Sequence, residues 1–300
     1  MIILLTGSNG LLGQKVVEIL KDDPEVTLIA TSRGKSGLPP FWHGFTYESL
    51  DLTQSDQVKA VVGKYKPDCV INTAAMTRVD DCELNQEECW SQNVTSVQYL
   101  VQACESINAH IVQLSTDFVF DGTEGPLDET ALPNPINFYG KSKLAAEDIV
   151  RRTKTHWSIV RTVLVYGISN DMSRSNIILW VKNNLEQGKP INVVDDQWRT
   201  PTLAEDLASG STLIAKNKAF GIFHISGSDY LTPYDIAKKT AKFFSLDESL
   251  IERANASNFR QPARRPLKTG FTVQKAISEL GFKPRSLDEG IALLAKQLRD

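Results

Sequence analysis

"ILLTGSNGLLGQKVVEIL" occupies residues 3–20 of the chain. An apolar run leads into glycines at positions 7, 10 and 13, and an amphipathic run follows. A chain that needs only a turn can use one glycine. Several at this spacing let a ligand come very close to the backbone. A GxxGxxG loop between a strand and a helix is the arrangement that holds a dinucleotide. Gly7 makes the tight turn, Gly10 admits a pyrophosphate to the main chain, and Gly13 lets helix and strand pack closely. The helix N-terminus then offers free N–H groups and a partial positive charge to the phosphates.

The pattern continues outward from that loop. Short apolar runs at 2–6, 26–31, 45–50, 69–73, 110–115 and 157–164 read as strands. Helical patterns stand between them, among them residues 57–65, 94–108 and 141–152. Apolar strands without polar alternation, separated by helices, predict an α/β fold: a Rossmann-type, doubly wound parallel sheet. After Tyr166 the texture changes to loops and short helices, such as GISNDMSRSN at 167–176 and DDQWRTPT at 195–202. Residues 1–165 are therefore expected to form an NAD(P)-binding domain. Residues 166–300 are expected to form most of a smaller C-terminal α/β substrate-binding domain. A strand near 221–226 is expected to return to the first sheet.

Composition excludes several classes. The 300 residues carry 36 acidic and 33 basic side chains, so no basic footprint for nucleic acid or an anionic membrane is expected. No apolar run approaches the ~20 residues of a membrane span. Met1 leads straight into a strand, without the basic and apolar segments of a signal peptide, and a cytoplasmic protein is expected. Cys69, Cys82, Cys89 and Cys104 form no CxxC pair and no metal spacing, and read as reduced thiols. No metal is predicted. A homodimer is expected as a common state of such proteins.

The second strand ends in Thr31-Ser32-Arg33-Gly34, with Lys35 next. An acid there holds the ribose hydroxyls of NAD, whereas an arginine accommodates a 2′-phosphate. Ser32 and Arg33 thus favour NADP(H), with NAD(H) as the alternative. Asp51-Leu52 is placed to flank the adenine, and Ala74-Ala75 ends the fourth strand beside the nicotinamide riboside.

Tyr139-Gly140-Lys141-Ser142-Lys143 opens a helix. A spacing of four puts Tyr139 and Lys143 on one helical face. A nearby ammonium is expected to lower the phenol pKa from its ordinary ~10, so that the pair exchanges a proton with an alkoxide as hydride moves. Lys143 can also hold the nicotinamide ribose. Thr116 ends the fifth strand, where doubly wound sheets place their ligands, and can donate to a carbonyl oxygen.

Together these residues resemble the extended short-chain dehydrogenase/reductases. "AAMTRVDDCE" (74–83), "LSTDFVFDGTEGPLDET" (114–130), "NPINFYGKSKLAAE" (134–147), "IVRTVLVYG" (159–167) and "DDQWRTPTLAEDLA" (195–208) are similar to the dTDP-4-dehydrorhamnose reductase family. The resemblance implies reduction of the C4 ketone of dTDP-4-dehydro-L-rhamnose by NAD(P)H. Thr116, Tyr139 and Lys143 match its catalytic set. Asn9, Gly10, Leu11, Leu12, Ser32, Arg33, Asp51, Leu52, Ala74, Ala75 and Met76 match its cofactor contacts. Asp117 matches a substrate contact. The sequence departs from the family at Arg78, Phe118 and Leu164, the last replacing an indole that flanks the sugar. Those departures leave open a reductase or epimerase of another nucleotide-sugar, or a non-catalytic NADP-binding subunit. The basic run from Arg260 to Arg265 has two readings, a diphosphate clamp and a solvated loop.

Overall fold

The computed structural model describes residues 1–170 and 176–299. Its strands are β1 (Ile2–Thr6), β2 (Thr27–Ser32), β3 (Phe45–Ser49), β4 (Cys69–Asn72), β5 (His110–Thr116), β6 (Trp157–Thr162), β7 (Val165–Tyr166), β8 (Ile191–Val194), β9 (Thr202–Leu203), β10 (Gly221–His224) and β11 (Ile251–Ala254). Its α-helices are α1 (Leu11–Leu20), α2 (Ser55–Tyr65), α3 (Val79–Leu84), α4 (Gln86–Trp90), α5 (Ser96–Ile107), α6 (Phe138–Arg151), α7 (Ile177–Glu186), α8 (Ala204–Lys216), α9 (Pro233–Phe243), α10 (Gln274–Leu280) and α11 (Leu287–Gln297).

Among the described residues, one 7-stranded sheet runs in the order β10-β6-β5-β4-β1-β2-β3. Every pairing within it is parallel. This is the doubly wound fold that the uninterrupted apolar strands predict. Both faces are covered, which explains the lack of alternation. Ile3 and Leu5 face a layer containing Val16, Val17 and Leu20 of α1 and Leu207 and Ile214 of α8. Leu4 faces the opposite layer, with Val58 and Val62 of α2, Leu100 of α5 and Val150 of α6. Each such side chain, fully buried, is worth about 1.5–3 kcal/mol. Strand order reverses between β1 and β4, and ligands of such sheets bind beyond the carboxyl ends of the strands at that point.

The chain leaves the sheet earlier than the expected strand to 164 implies. β6 ends at Thr162, and Leu164 adopts φ 38°, in the left-handed region. This kink sends β7 to pair with β9 in a separate ribbon. Tyr166 is then buried among Ile178 of α7, Ile236 of α9 and Ile291 of α11. β8 and β11 pair beside this cluster. The chain comes back through α8, which packs with α1, and β10, which pairs with β6. Part of the expected loop at 167–176, residues 171–175, lies outside the described residues. No described helix is long and apolar enough to cross a membrane. The cysteines are free and buried.

Candidate active site

A cavity of about 920 Å³ opens beyond the carboxyl ends of β1, β4 and β5. That is at the large end of the ~300–1,000 Å³ typical of ligand sites. It brings together Gly7, Asn9, Gly10, Leu11, Leu12 and Gly13 from the first loop, Ser32 and Arg33 after β2, Asp51 and Leu52 after β3, and Ala74 and Ala75 after β4. Thr116, Asp117, Tyr139, Lys143 and Leu164 line it as well. Met76 does not. It packs with Cys82, Cys89 and Tyr139 behind the wall, its backbone tied to the Asn93 amide.

The glycine loop fits a dinucleotide. Gly7 has φ +71°, and a Cβ there would lie 2.8 Å from the Thr73 hydroxyl oxygen. A Cβ on Gly13 would overlap the Gly7 carbonyl oxygen, so only glycine lets α1 start this close to β1. The N-terminus of α1 has no side-chain cap, so its first N–H groups are left to a ligand. The buried Ser8 hydroxyl has no protein partner.

The loop after β2 is shaped by Asn9. Its side-chain carbonyl accepts from the Gly37 N–H at 2.8 Å, and its amide donates to the Lys35 carbonyl at 2.9 Å. Tyr47 donates to the Gly34 carbonyl at 2.8 Å. These bonds hold Ser32 and Arg33 at the rim, and no acid stands at the tip of β2. The site thus fits NADP(H), with NAD(H) as the less suited cofactor.

Tyr139 and Lys143 come from the start of α6. Asn137 caps this helix, accepting from the Gly140 N–H at 2.8 Å. Glycine is required at 140, because a Cβ would overlap the Phe118 carbonyl oxygen. Lys143 is buried and donates to the Leu114 carbonyl at 2.7 Å. Burial lowers its ammonium to about 8, with the Glu147 carboxylate acting in the opposite sense. The expectation of a lowered phenol pKa is not met. Burial pushes Tyr139 above its ordinary value, against the hydroxyl of Thr116, and the neighbouring Asp117, Cys82 and Cys89 add to the rise. The ammonium is bonded to a backbone carbonyl, and its charge does not offset the burial of the phenol. The phenol therefore stays protonated at neutral pH and suits a general acid.

Asp117 is fully buried beyond β5. The Thr116 hydroxyl donates to its Oδ1 at 3.1 Å, the Thr269 hydroxyl donates to Oδ2, and Arg199 Nε lies 3.7 Å from Oδ2. Burial raises the Asp117 carboxyl and lowers the Arg199 guanidinium, outweighing their mutual attraction in both cases. Arg199 also donates to the carbonyls of Pro266 at 2.6 Å, Trp198 at 2.7 Å and Leu267 at 3.0 Å. It ties the C-terminal loop to the cavity floor. Phe118 and Leu164, two of the departures noted in the sequence, both line the cavity; Arg78 does not.

Of the basic run, Arg265 lines the cavity, in a two-bond pair with Asp80 at 2.6 and 2.7 Å. Arg260 is exposed. Sequence reasoning missed Arg199, Thr269 and Asp80, which lie far apart in the chain. It also missed the π-helical turn Ser91–Thr95 that aims Asn93 at Met76 and, at 3.0 Å, at the Ser142 hydroxyl. Such turns often mark functional sites.

A dinucleotide cradle at the switch point of a parallel sheet, with a threonine, a tyrosine and a lysine lining the same cavity, defines an NAD(P)H-dependent oxidoreductase of the extended short-chain dehydrogenase/reductase class. The family model described as RmlD substrate binding domain matches residues 1–300, and the chain belongs to that family. A probable low-salt glycan biosynthesis reductase of Haloferax volcanii is 32% identical over 99% of this chain and 98% of its own. The crystal structure of a dTDP-4-dehydrorhamnose reductase from Clostridium acetobutylicum superposes with TM-score 0.88 at 30% identity, covering 100% of both chains. That of Bacillus anthracis, in complex with NADP, gives 0.84 at 26% identity over 99% of both.

Proposed function

We propose that this protein reduces the C4 ketone of dTDP-4-dehydro-L-rhamnose to the alcohol of dTDP-L-rhamnose, using NADPH. The observation that carries the reading is the meeting of Thr116, Tyr139 and Lys143 with the glycine loop in one cavity. A protein that only bound the cofactor would need the glycines but not a buried acid and lysine.

When bound, NADPH supplies the hydride. The Gly7–Gly13 loop and the start of α1 hold its pyrophosphate, and Arg33 and Ser32 receive the 2′-phosphate. Thr116 orients the ketone by its hydroxyl, which now rests on Asp117. Tyr139 donates its proton to the ketone oxygen as the alkoxide forms. The Lys143 ammonium stabilises the phenolate that results by its charge and then passes it a proton, and the neutral amine takes one back from water. Arg265 exchanges Asp80 for the diphosphate of the sugar nucleotide. Phe118 and Leu164 border the sugar.

Product analysis tests the assignment of the sugar. Incubation with NADPH and a panel of 4-keto nucleotide-sugars should convert the 6-deoxy-L-lyxo ketone to dTDP-L-rhamnose, identified by NMR. Conversion of a different panel member alone would keep the chemistry and replace the substrate.

A further inference from the structure

Glu147 follows Lys143 by one helical turn, as Lys143 follows Tyr139, so the three side chains share one face of α6. All three are buried. Glu147 Oε1 accepts from the Ser115 hydroxyl at 2.6 Å and from Arg161 Nε at 2.9 Å, and Oε2 accepts from Arg161 Nη2 at 2.7 Å. Ser115 stands opposite Arg161 in the pairing of β5 with β6. It is also flanked by Leu114, whose carbonyl receives Lys143, and by Thr116.

We propose that Glu147 is a positioning residue for Lys143. Through Ser115 and Arg161 it fixes α6 against the carboxyl ends of β5 and β6. It thereby sets the place and the charge of the lysine and the distance from Tyr139 to Thr116. The proposal rests on the reading of Lys143 as the proton partner of Tyr139.

A buried ion pair adds little stability over an apolar pair of the same volume. This one sits on the helix face that carries the chemistry, and it is locked by three hydrogen bonds. The charged and titratable groups around Lys143 are few. Among the described residues, Glu147 acts on it from α6, Cys82 from α3 and Cys89 from α4, and Tyr139 lies one turn before it on α6. Glu147 in turn faces Arg161 of β6, with Arg151 Nη2 at 3.8 Å from Oε2 at the rim. Arg161 also acts on His224 of β10. Glu147 is the carboxylate that opposes the burial of the lysine charge.

The test compares wild type, Glu147→Gln and the double variant Glu147→Leu/Arg161→Met, which removes both charges so that neither is left unpaired. Lys143 is titrated by NMR of lysine labelled at Cε and Nζ. Turnover is measured beside it with NADPH and the keto-sugar. The expected result is a Lys143 midpoint lower by roughly one unit in the folded variants, with kcat down at least ~10-fold and KM little changed. A folded double variant whose Lys143 titrates as in wild type would overturn the proposal. A double variant that cannot fold would overturn it too, since the pair would then be structural. If wild type reduces none of the sugars, the proposed reaction fails, while the Lys143 titration still decides this proposal.

Discussion

The rings of Phe118 and Tyr139 meet edge to face, with centroids 5.9 Å apart and planes at 70°. The contact fixes the phenol ring by packing that does not need its hydroxyl. Phe118 lines the cavity, and here it buttresses the Tyr139 ring.

Tyr139→Phe should therefore keep the ring in place and bind NADPH as wild type does. Loss of the acid should lower kcat by roughly 10²–10⁴-fold. Cofactor titration by fluorescence, set beside turnover, checks this. A loss of NADPH affinity as large as the loss of turnover would contradict the acid role.

The buried lysine is expected to set the pH dependence. Burial favours the neutral amine, so Lys143 is charged below about 8 and neutral above it. The ammonium is present on the acid side and lost as pH rises. kcat/KM should accordingly fall on the alkaline limb with a midpoint near about 8. A profile flat up to the ~10.4 of an ordinary lysine would show that no such charge is needed.

Arg33 is exposed at the cavity rim, where the 2′-phosphate is assigned. Charge-assisted hydrogen bonds contribute about 1.5–3 kcal/mol, so Arg33→Ala should weaken NADPH about 10- to 100-fold. NADH, without that phosphate, should be little affected. Dissociation constants for both cofactors decide the point, and equal losses would remove Arg33 from cofactor choice.

Gly140 lets α6 start against the Phe118 carbonyl. Gly140→Ala should cost about 1–3 kcal/mol of stability by overpacking. It should also displace Tyr139 from Thr116 and lower kcat at least ~10-fold. Denaturant unfolding and turnover, measured on one preparation, test both parts. A stable variant with full kcat would show that the close approach does not place the phenol.

Much of this was legible because it is local. The glycine loop, the apolar strands and the four-residue step from Tyr139 to Lys143 each lie within one segment. What was not legible depends on segments meeting. Arg199 and Thr269 reach Asp117 only after the C-terminal loop folds back. α8 was hidden because its helix, AEDLASGSTLIAK, is rich in small and polar residues; Gly210 there lets it approach Ile225 closely. Nothing in Val163-Leu164 marks a break, since no glycine or proline supplies the turn. Met76 follows two cavity residues in sequence, yet the Asn93 amide turns its backbone to the wall. The phenol pKa was misjudged because spacing shows which groups are neighbours but not how dry their surroundings are.

The most direct measurement is the rate of NADPH oxidation with dTDP-4-dehydro-L-rhamnose, for wild type and Tyr139→Phe side by side. Rapid oxidation by wild type, almost abolished in the variant, is the predicted result. NADPH bound tightly by both, with no oxidation by wild type, would contradict the account.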